Sequence, residues 1–166
     1  MNKLLKTENK DYVIAIDTDS IYVNFSSFVK KFNPKDPVKF LDEACNNHFN
    51  KILASTLEKL CKEMNCFENR MVMEREVIAD RGIWTAKKRY ILNVHNSEGV
   101  QYEEPKLKIM GIEAIKSSTP EVCRSKFKDI FKIIISGSEK DTQNFIKRFK
   151  EEFKSLPPED VAFPRG

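Results

Sequence analysis

Apolar residues change their spacing three times along this chain, from strand-like to helical, back to strand-like, and to helical again. That order excludes a plain helical bundle and a plain β-sandwich. Val13-Ile14-Ala15-Ile16 and Ile21-Tyr22-Val23 are short β-branched runs flanking Asp17-Thr18-Asp19-Ser20, which predicts strand, tight turn and strand with an acidic tip. From Val38 to Met64 the residues Leu41, Cys45, Phe49, Ile52, Leu53, Leu57, Leu60 and Met64 recur at steps of three and four, giving an amphipathic helix of roughly seven turns. Asp36-Pro37 starts it, the carboxylate accepting from free backbone N–H groups and the proline losing no useful donor.

The pattern between Arg70 and Ile112 is β again: Met71-Val72-Met73, Val77-Ile78-Ala79, Ile83-Trp84, Tyr90 to Val94 and Leu107-Lys108-Ile109, for which three strands are expected. Asn96-Ser97-Glu98-Gly99 supplies a turn between the last two. Ser118-Thr119-Pro120-Glu121 predicts a helix start with a capping hydroxyl, and Gly137 ends that helix. Ser138 caps another, stopped by Pro157-Pro158. The sum is an α+β plan with an antiparallel sheet.

Charge adds a direction. Residues 1–80 hold 12 basic and 13 acidic side chains, residues 81–132 hold 11 and 6, and residues 133–166 hold 6 and 6. The middle block carries the whole excess, so a polyanion is expected to meet Arg81 to Lys132. Cys45, Cys61, Cys66 and Cys123 show no C-x-x-C spacing, and His48 and His95 do not complete a zinc set, so the thiols are read as reduced. Met1 to Lys10 is polar and no run approaches the ~20 apolar residues of a membrane helix, which points to an intracellular, cytoplasmic chain with no membrane partner.

Asp17 and Asp19 concentrate negative charge at a place where strand ends fix the backbone. Hard oxygen donors of this kind suit Mg²⁺, which takes one or two protein carboxylates and keeps its remaining sites for water and phosphate. The competing reading is a turn in which both carboxylates only cap backbone N–H groups.

The neighbouring letters favour the cation. Residues 17–23, D-T-D-S-I-Y-V, resemble motif C of the family B DNA-directed DNA polymerases, and in particular the T-even bacteriophage replicative type. Trp84 to Tyr90 resembles the K-K-R-Y motif of that family, and Lys106 to Glu113 with Lys116 to Pro120 resembles the junction of its palm and thumb. The resemblance implies a C-terminal palm over residues 1–116, with the motif C hairpin, an antiparallel palm sheet and a packed long helix, and the start of a thumb over 117–166.

It further implies that Asp17 and Asp19 are the catalytic carboxylates that ligate Mg²⁺, with Glu76 as an outer member of the metal site or, alternatively, a solvated strand residue. Lys87, Lys88, Arg89 and Tyr90 match residues that hold the primer terminus, and Lys106, Lys108 and Lys116 would lie along the duplex backbone. Trp84 is read as core rather than as a stacking platform. Two departures stand out. Ala15-Ile16 occupies the place of the usual Tyr-Gly, and motif A, the fingers helix and the exonuclease carboxylates do not occur in the chain.

The implied two-metal site is therefore completed by a carboxylate outside this chain. The expected partners are primer-template DNA, a deoxynucleoside triphosphate and the rest of the polymerase, meaning exonuclease, motif A palm and fingers. The chain is expected to be inactive alone and, with palm surfaces left uncovered, to self-associate. The alternative is a non-catalytic DNA-binding or scaffold remnant of a palm.

Overall fold

The computed structural model describes residues 11–112 and 116–162. Met1 to Lys10 and Glu113, both used above, and the last residues of the expected thumb segment, 163–166, lie outside the described residues. The architecture is α+β. The chain forms two compact units, residues 1–78 with 95–102 and residues 79–94 with 103–166.

The first unit begins with the acidic hairpin. Strands β1 (Val13–Asp17) and β2 (Ser20–Val23) pair antiparallel, with Ile16 opposite Ile21 and Asp17 opposite Ser20. A bulge between Val13 and Ala15 interrupts the register. A short helix α1 (Ser26–Phe32), unread in the sequence, follows and ends on Asn33 in left-handed conformation at φ +44°. Seven residues give too short a stripe to register as a helical period, although Phe28 and Phe32 hold the i, i+4 spacing.

The predicted long helix is present from Pro37 to Glu63 but is not uniform. Helix α2 (Pro37–Ala44) passes through one π-helical turn at Cys45–Phe49 into α3 (Asn50–Glu63). Asp36 caps it as expected, its Oδ1 accepting from Val38 and Lys39 N–H at 3.0 Å each. The sequence explains the widened turn: Leu41, Cys45 and Phe49 stand four residues apart, so an ordinary 3.6-residue period would carry the stripe off its face. The extra width keeps Ala44, Cys45 and Phe49 together in the core, against Phe25 and Phe28. Phe25 lies 4.9 Å from Phe49, and Phe28 lies 5.3 Å from Phe40, so the core of this unit is a cluster of phenylalanine rings.

Met71-Val72-Met73, taken as strand-like, has no strand partner. Residues 71–76 lack regular structure, and Met71 and Val72 are exposed. Asn69 Oδ1 accepts from Met71 N–H at 3.0 Å, and that local turn draws the backbone out of a ladder. Arg75 anchors the segment. It pairs with Asp42 of α2, and its Nη1 donates to Asn96 Oδ1 at 2.7 Å.

Three strands do follow, β3 (Val77–Ala86), β4 (Arg89–Ser97) and β5 (Val100–Met110), in the antiparallel order β3-β4-β5. The central strand supplies the core of the second unit through Tyr90, Ile91, Leu92 and Val94. Helix α4 (Glu121–Ser136) adds buried Ile135, whose carbonyl accepts from Arg81 Nη1 at 2.5 Å. A guanidinium at a helix C-terminus meets the negative end of the helix dipole. Ser118 does not cap α4. The helix starts one residue after Pro120, while Lys116 to Thr119 form a turn that buries Thr119.

Gly137 closes α4, and Ser138 caps α5 (Glu139–Ser155) in a reciprocal box with Asp141. Lys126 Nζ bridges to Glu152 at 2.7 Å and so ties α4 to α5. Pro157-Pro158 stops α5, and Pro158 opens a single turn, α6 (Pro158–Val161). Among the described residues no helix is long and apolar enough to cross a membrane.

Candidate functional site

The motif-like segments fall on two hairpin tips of opposite charge, one in each unit. At the acidic tip β1 and β2 are joined by Thr18 and Asp19 alone. Thr18 adopts φ +50°, an uncommon conformation for a β-branched residue. Its Oγ1 donates to Asp17 Oδ1 at 3.2 Å, while Ser20 Oγ donates to the Asp17 carbonyl at 3.0 Å. The two hydroxyls of D-T-D-S therefore hold the tip closed and orient Asp17. Asp17 is half-buried and Asp19 is exposed.

Ile16, where the expected motif has glycine, is no obstacle to this turn, because it sits within β1 and does not adopt a positive φ. The Ile16 side chain is 68% exposed and stands beside Ile21, so the departure changes the surface next to the tip rather than the turn.

Glu76, in the same unit, is exposed. Its carbonyl accepts from Glu98 N–H at 2.7 Å, which fixes the backbone beside the turn between β4 and β5. Among the described residues no group of three or more His, Cys, Asp or Glu side chains is gathered to hold a metal. Two carboxylates separated by one residue are a donor set of the right hardness for Mg²⁺, but as a pair they fit a shared site, not a self-sufficient one.

The basic tip joins β3 to β4 through Lys87 and Lys88. Lys88 adopts φ +60°. Lys87, Lys88 and Arg89 are all exposed, and Thr85 Oγ1 donates to the Arg89 carbonyl at 3.3 Å across the hairpin. Tyr90 differs from its three neighbours. It is 5% exposed, with its ring 6.1 Å from that of half-buried Trp84, so it anchors the tip from within.

The structure brings a second basic segment against this tip. Gly111, just past the end of β5, has φ +64°, and a Cβ there would lie 2.1 Å from the Lys88 carbonyl oxygen. Only glycine allows that approach. The end of β5 is thereby packed on the turn, and that strand also carries exposed Lys106 and half-buried Lys108. Lys116 is exposed, between Gly111 and α4. Five cations, Lys87, Lys88, Arg89, Lys106 and Lys108, thus belong to one hairpin and its neighbouring strand. The letters K-K-R-Y and K-x-K-x-M-G were visible in the sequence, but the contact between them is tertiary.

Arg75 is the residue most underrated by the sequence. Its side chain is 9% exposed and holds α2 and Asn96 together, with Asn96 itself buried. The same guanidinium faces Cys45, where burial pushes the thiol pKa up and the Arg75 charge opposes that rise.

A comparison with protein-family models finds no match. The relatives found for this chain are DNA-directed DNA polymerases. That of Enterobacteria phage T4 is 32% identical over 176 aligned positions, covering 98% of this chain and 20% of the relative. That of Escherichia phage RB69 is 36% identical over 153 positions, covering 84% of this chain and 17% of the relative. The chain thus spans about a fifth of the length of these curated relatives, and the resemblance drawn from its motifs extends over nearly all of it.

Proposed function

We propose that this chain acts as the C-terminal palm and thumb base of a family B DNA-directed DNA polymerase, contributing half of a site for template-directed nucleotidyl transfer. Residues 1–116 are the palm part and residues 117–166 the beginning of the thumb. The observation that carries this reading is the formation, by residues 17–20, of a closed acidic hairpin tip in a chain similar to polymerases over 98% of its length.

Asp17 and Asp19 are the proposed catalytic carboxylates and Mg²⁺ ligands, with Glu76 as an outer member and a further carboxylate supplied from outside the chain. Mg²⁺ held by Asp17, Asp19 and that outside carboxylate would activate the attacking primer oxygen and steady the leaving pyrophosphate. The role of this chain is to present the two carboxylates on a tip whose hydroxyls fix Asp17 and leave Asp19 exposed.

Lys87, Lys88 and Arg89 meet the primer strand near its terminus, with Tyr90 holding their strand in place and adding at most a small contact surface. Lys106, Lys108 and Lys116 follow the duplex backbone. Contacts of this kind to phosphate position a duplex without reading its sequence. The remaining partners are the deoxynucleoside triphosphate and the exonuclease, motif A palm and fingers segments, in the cytoplasm of a host cell. Exposed Ile16, Met64, Phe67 and Val72 leave apolar surface that favours self-association of the isolated chain, read by size-exclusion chromatography.

The alternative, a binding module that has lost synthesis, draws on Ala15-Ile16 standing where Tyr-Gly is usual. One experiment separates the two. Mixed with a polypeptide carrying motif A and fingers, the chain is expected to restore Mg²⁺-dependent primer extension, and Asp17→Asn with Asp19→Asn to abolish it while duplex binding persists. Extension that survives the double substitution overturns the catalytic assignment, and absence of extension with binding intact favours the module.

A further inference from the structure

Helix α3 ends in an arrangement that gives two of the four thiols a common fate. Asn65 takes φ +54°, Cys66 N–H donates to the Cys61 carbonyl at 2.9 Å, and Asn65 N–H donates to the Lys62 carbonyl at 3.1 Å. These are the two hydrogen bonds and the left-handed residue of a Schellman C-cap. That closure sets the residue three positions inside the helix end beside the residue two positions beyond the cap, a pair that is ordinarily apolar. Here both are cysteines. Cys61 is half-buried, Cys66 is exposed, both are free thiols, and Cys66 lies near enough to act on the charge of the Cys61 thiol.

We infer that Cys61 and Cys66 form a reversible dithiol–disulfide site built into the C-cap of α3, with a low-molecular-weight disulfide of the glutathione type as its oxidant. The exposed Cys66 thiolate attacks one sulfur of the oxidant, forming a mixed disulfide and releasing one glutathione thiolate. Cys61 then loses its proton, attacks Cys66 Sγ and expels the second glutathione thiolate. One S–S bond breaks and one forms, the protein loses two electrons and two protons, and the oxidant is reduced to two thiols. Burial, the neighbouring Cys66 and Glu58 push the Cys61 pKa up, which suits it to the second step, inside the mixed disulfide, rather than to opening the exchange. Cys45 lies in the phenylalanine core, and neither it nor Cys123 is set in such a cap.

The test equilibrates the full chain in mixtures of reduced and oxidised glutathione, blocks free thiols and maps peptides. Trypsin cuts after Lys62, between the two cysteines, so the bond joins peptide 60–62 to peptide 63–70. That joined pair is expected at glutathione ratios where Cys45 and Cys123 are still alkylated. Its formation constant should be about tenfold larger in native buffer than in urea, because the cap holds the thiols in place before reaction. Cys61→Ser should trap glutathione on Cys66, and Cys66→Ser should remove the joined peptides. Glutathione accumulating on Cys66 of the unsubstituted chain without the joined pair overturns the inference. So does equal pairing in urea and in buffer for a chain whose far-UV helix signal is intact in buffer.

Discussion

The two hairpin tips share a design and differ in how they are supported. Each closes two strands with a two-residue connection, and each holds a non-glycine residue at positive φ, Thr18 at +50° and Lys88 at +60°. The basic tip is braced by the rest of its own unit, with Gly111 against its backbone and buried Tyr90 at its base. The acidic tip is held by Thr18 and Ser20, residues of the turn itself. Under the proposed function, the basic tip, braced within its own unit, can bind a duplex without help, whereas the acidic tip, with only two carboxylates, needs a partner to become a metal site. On that proposal, duplex affinity and catalysis should part company.

The most damaging single change to this contrast is expected at Gly111. Gly111→Ala places a Cβ against the Lys88 carbonyl at a positive φ, and should cost on the order of 3 kcal/mol in urea unfolding and weaken duplex binding with it. A variant with an unchanged urea midpoint would show that the basic tip does not depend on β5. Next, Thr18→Gly relieves a β-branched residue of its left-handed conformation and should stabilise the chain by about 1 kcal/mol, against an opposing loss of the Oγ1 bond to Asp17. If it destabilises instead, the hydroxyl outweighs the strain and the acidic tip is better supported than its contacts suggest.

Smaller effects test the charges. Lys88→Ala and Arg89→Ala should each weaken primer-template binding and lower the salt slope by about one unit, read from affinity against salt concentration. The matching Asp19→Asn change should leave the slope of the isolated chain no steeper than before if the acidic tip lies off the phosphate track. The smallest effect is a pH dependence remote from both tips. Hydrogen bonds from the Ser138 hydroxyl and backbone N–H hold the Asp141 carboxyl below its usual range. Because its folded-state value is lowered, that contribution is complete above the ordinary carboxylate range and fades as pH falls through and below it. Ser138→Ala should flatten the acid side of the stability profile of α5, followed by circular dichroism.

Features set by neighbouring residues were legible in the sequence. The Asp36 cap, the Ser138 cap, the closing Gly137 and, apart from the short α1 and α6, the order of strands and helices follow from spacing within a few positions. Features that need a second segment were not. Met71-Val72-Met73 has strand letters without a strand to pair with, and Tyr90 reads as part of a basic surface until its ring is seen beside Trp84. Gly111 is an ordinary motif letter until Lys88 lies against it. A search for C-x-x-C passes over Cys61 and Cys66, although asparagine just before the second cysteine, at the end of a helical stripe, is a local signal for the cap that joins them.

The π turn at Cys45–Phe49 also works as a phase adjuster between α2 and α3. Deleting one residue there would let a regular helix form and leave everything beyond it close to its present facing, because a π turn spends one extra residue on about the same rotation. Leu53 and Leu57, now half-buried, would stay on the face shared with Phe49, and the cap carrying Cys61 and Cys66 would keep its direction with them. In an alignment of chains of this kind, a one-residue gap inside residues 45–49 would thus mark a straightened helix with its direction kept, whereas the same gap within α2 or α3 would turn all that follows by about 100°.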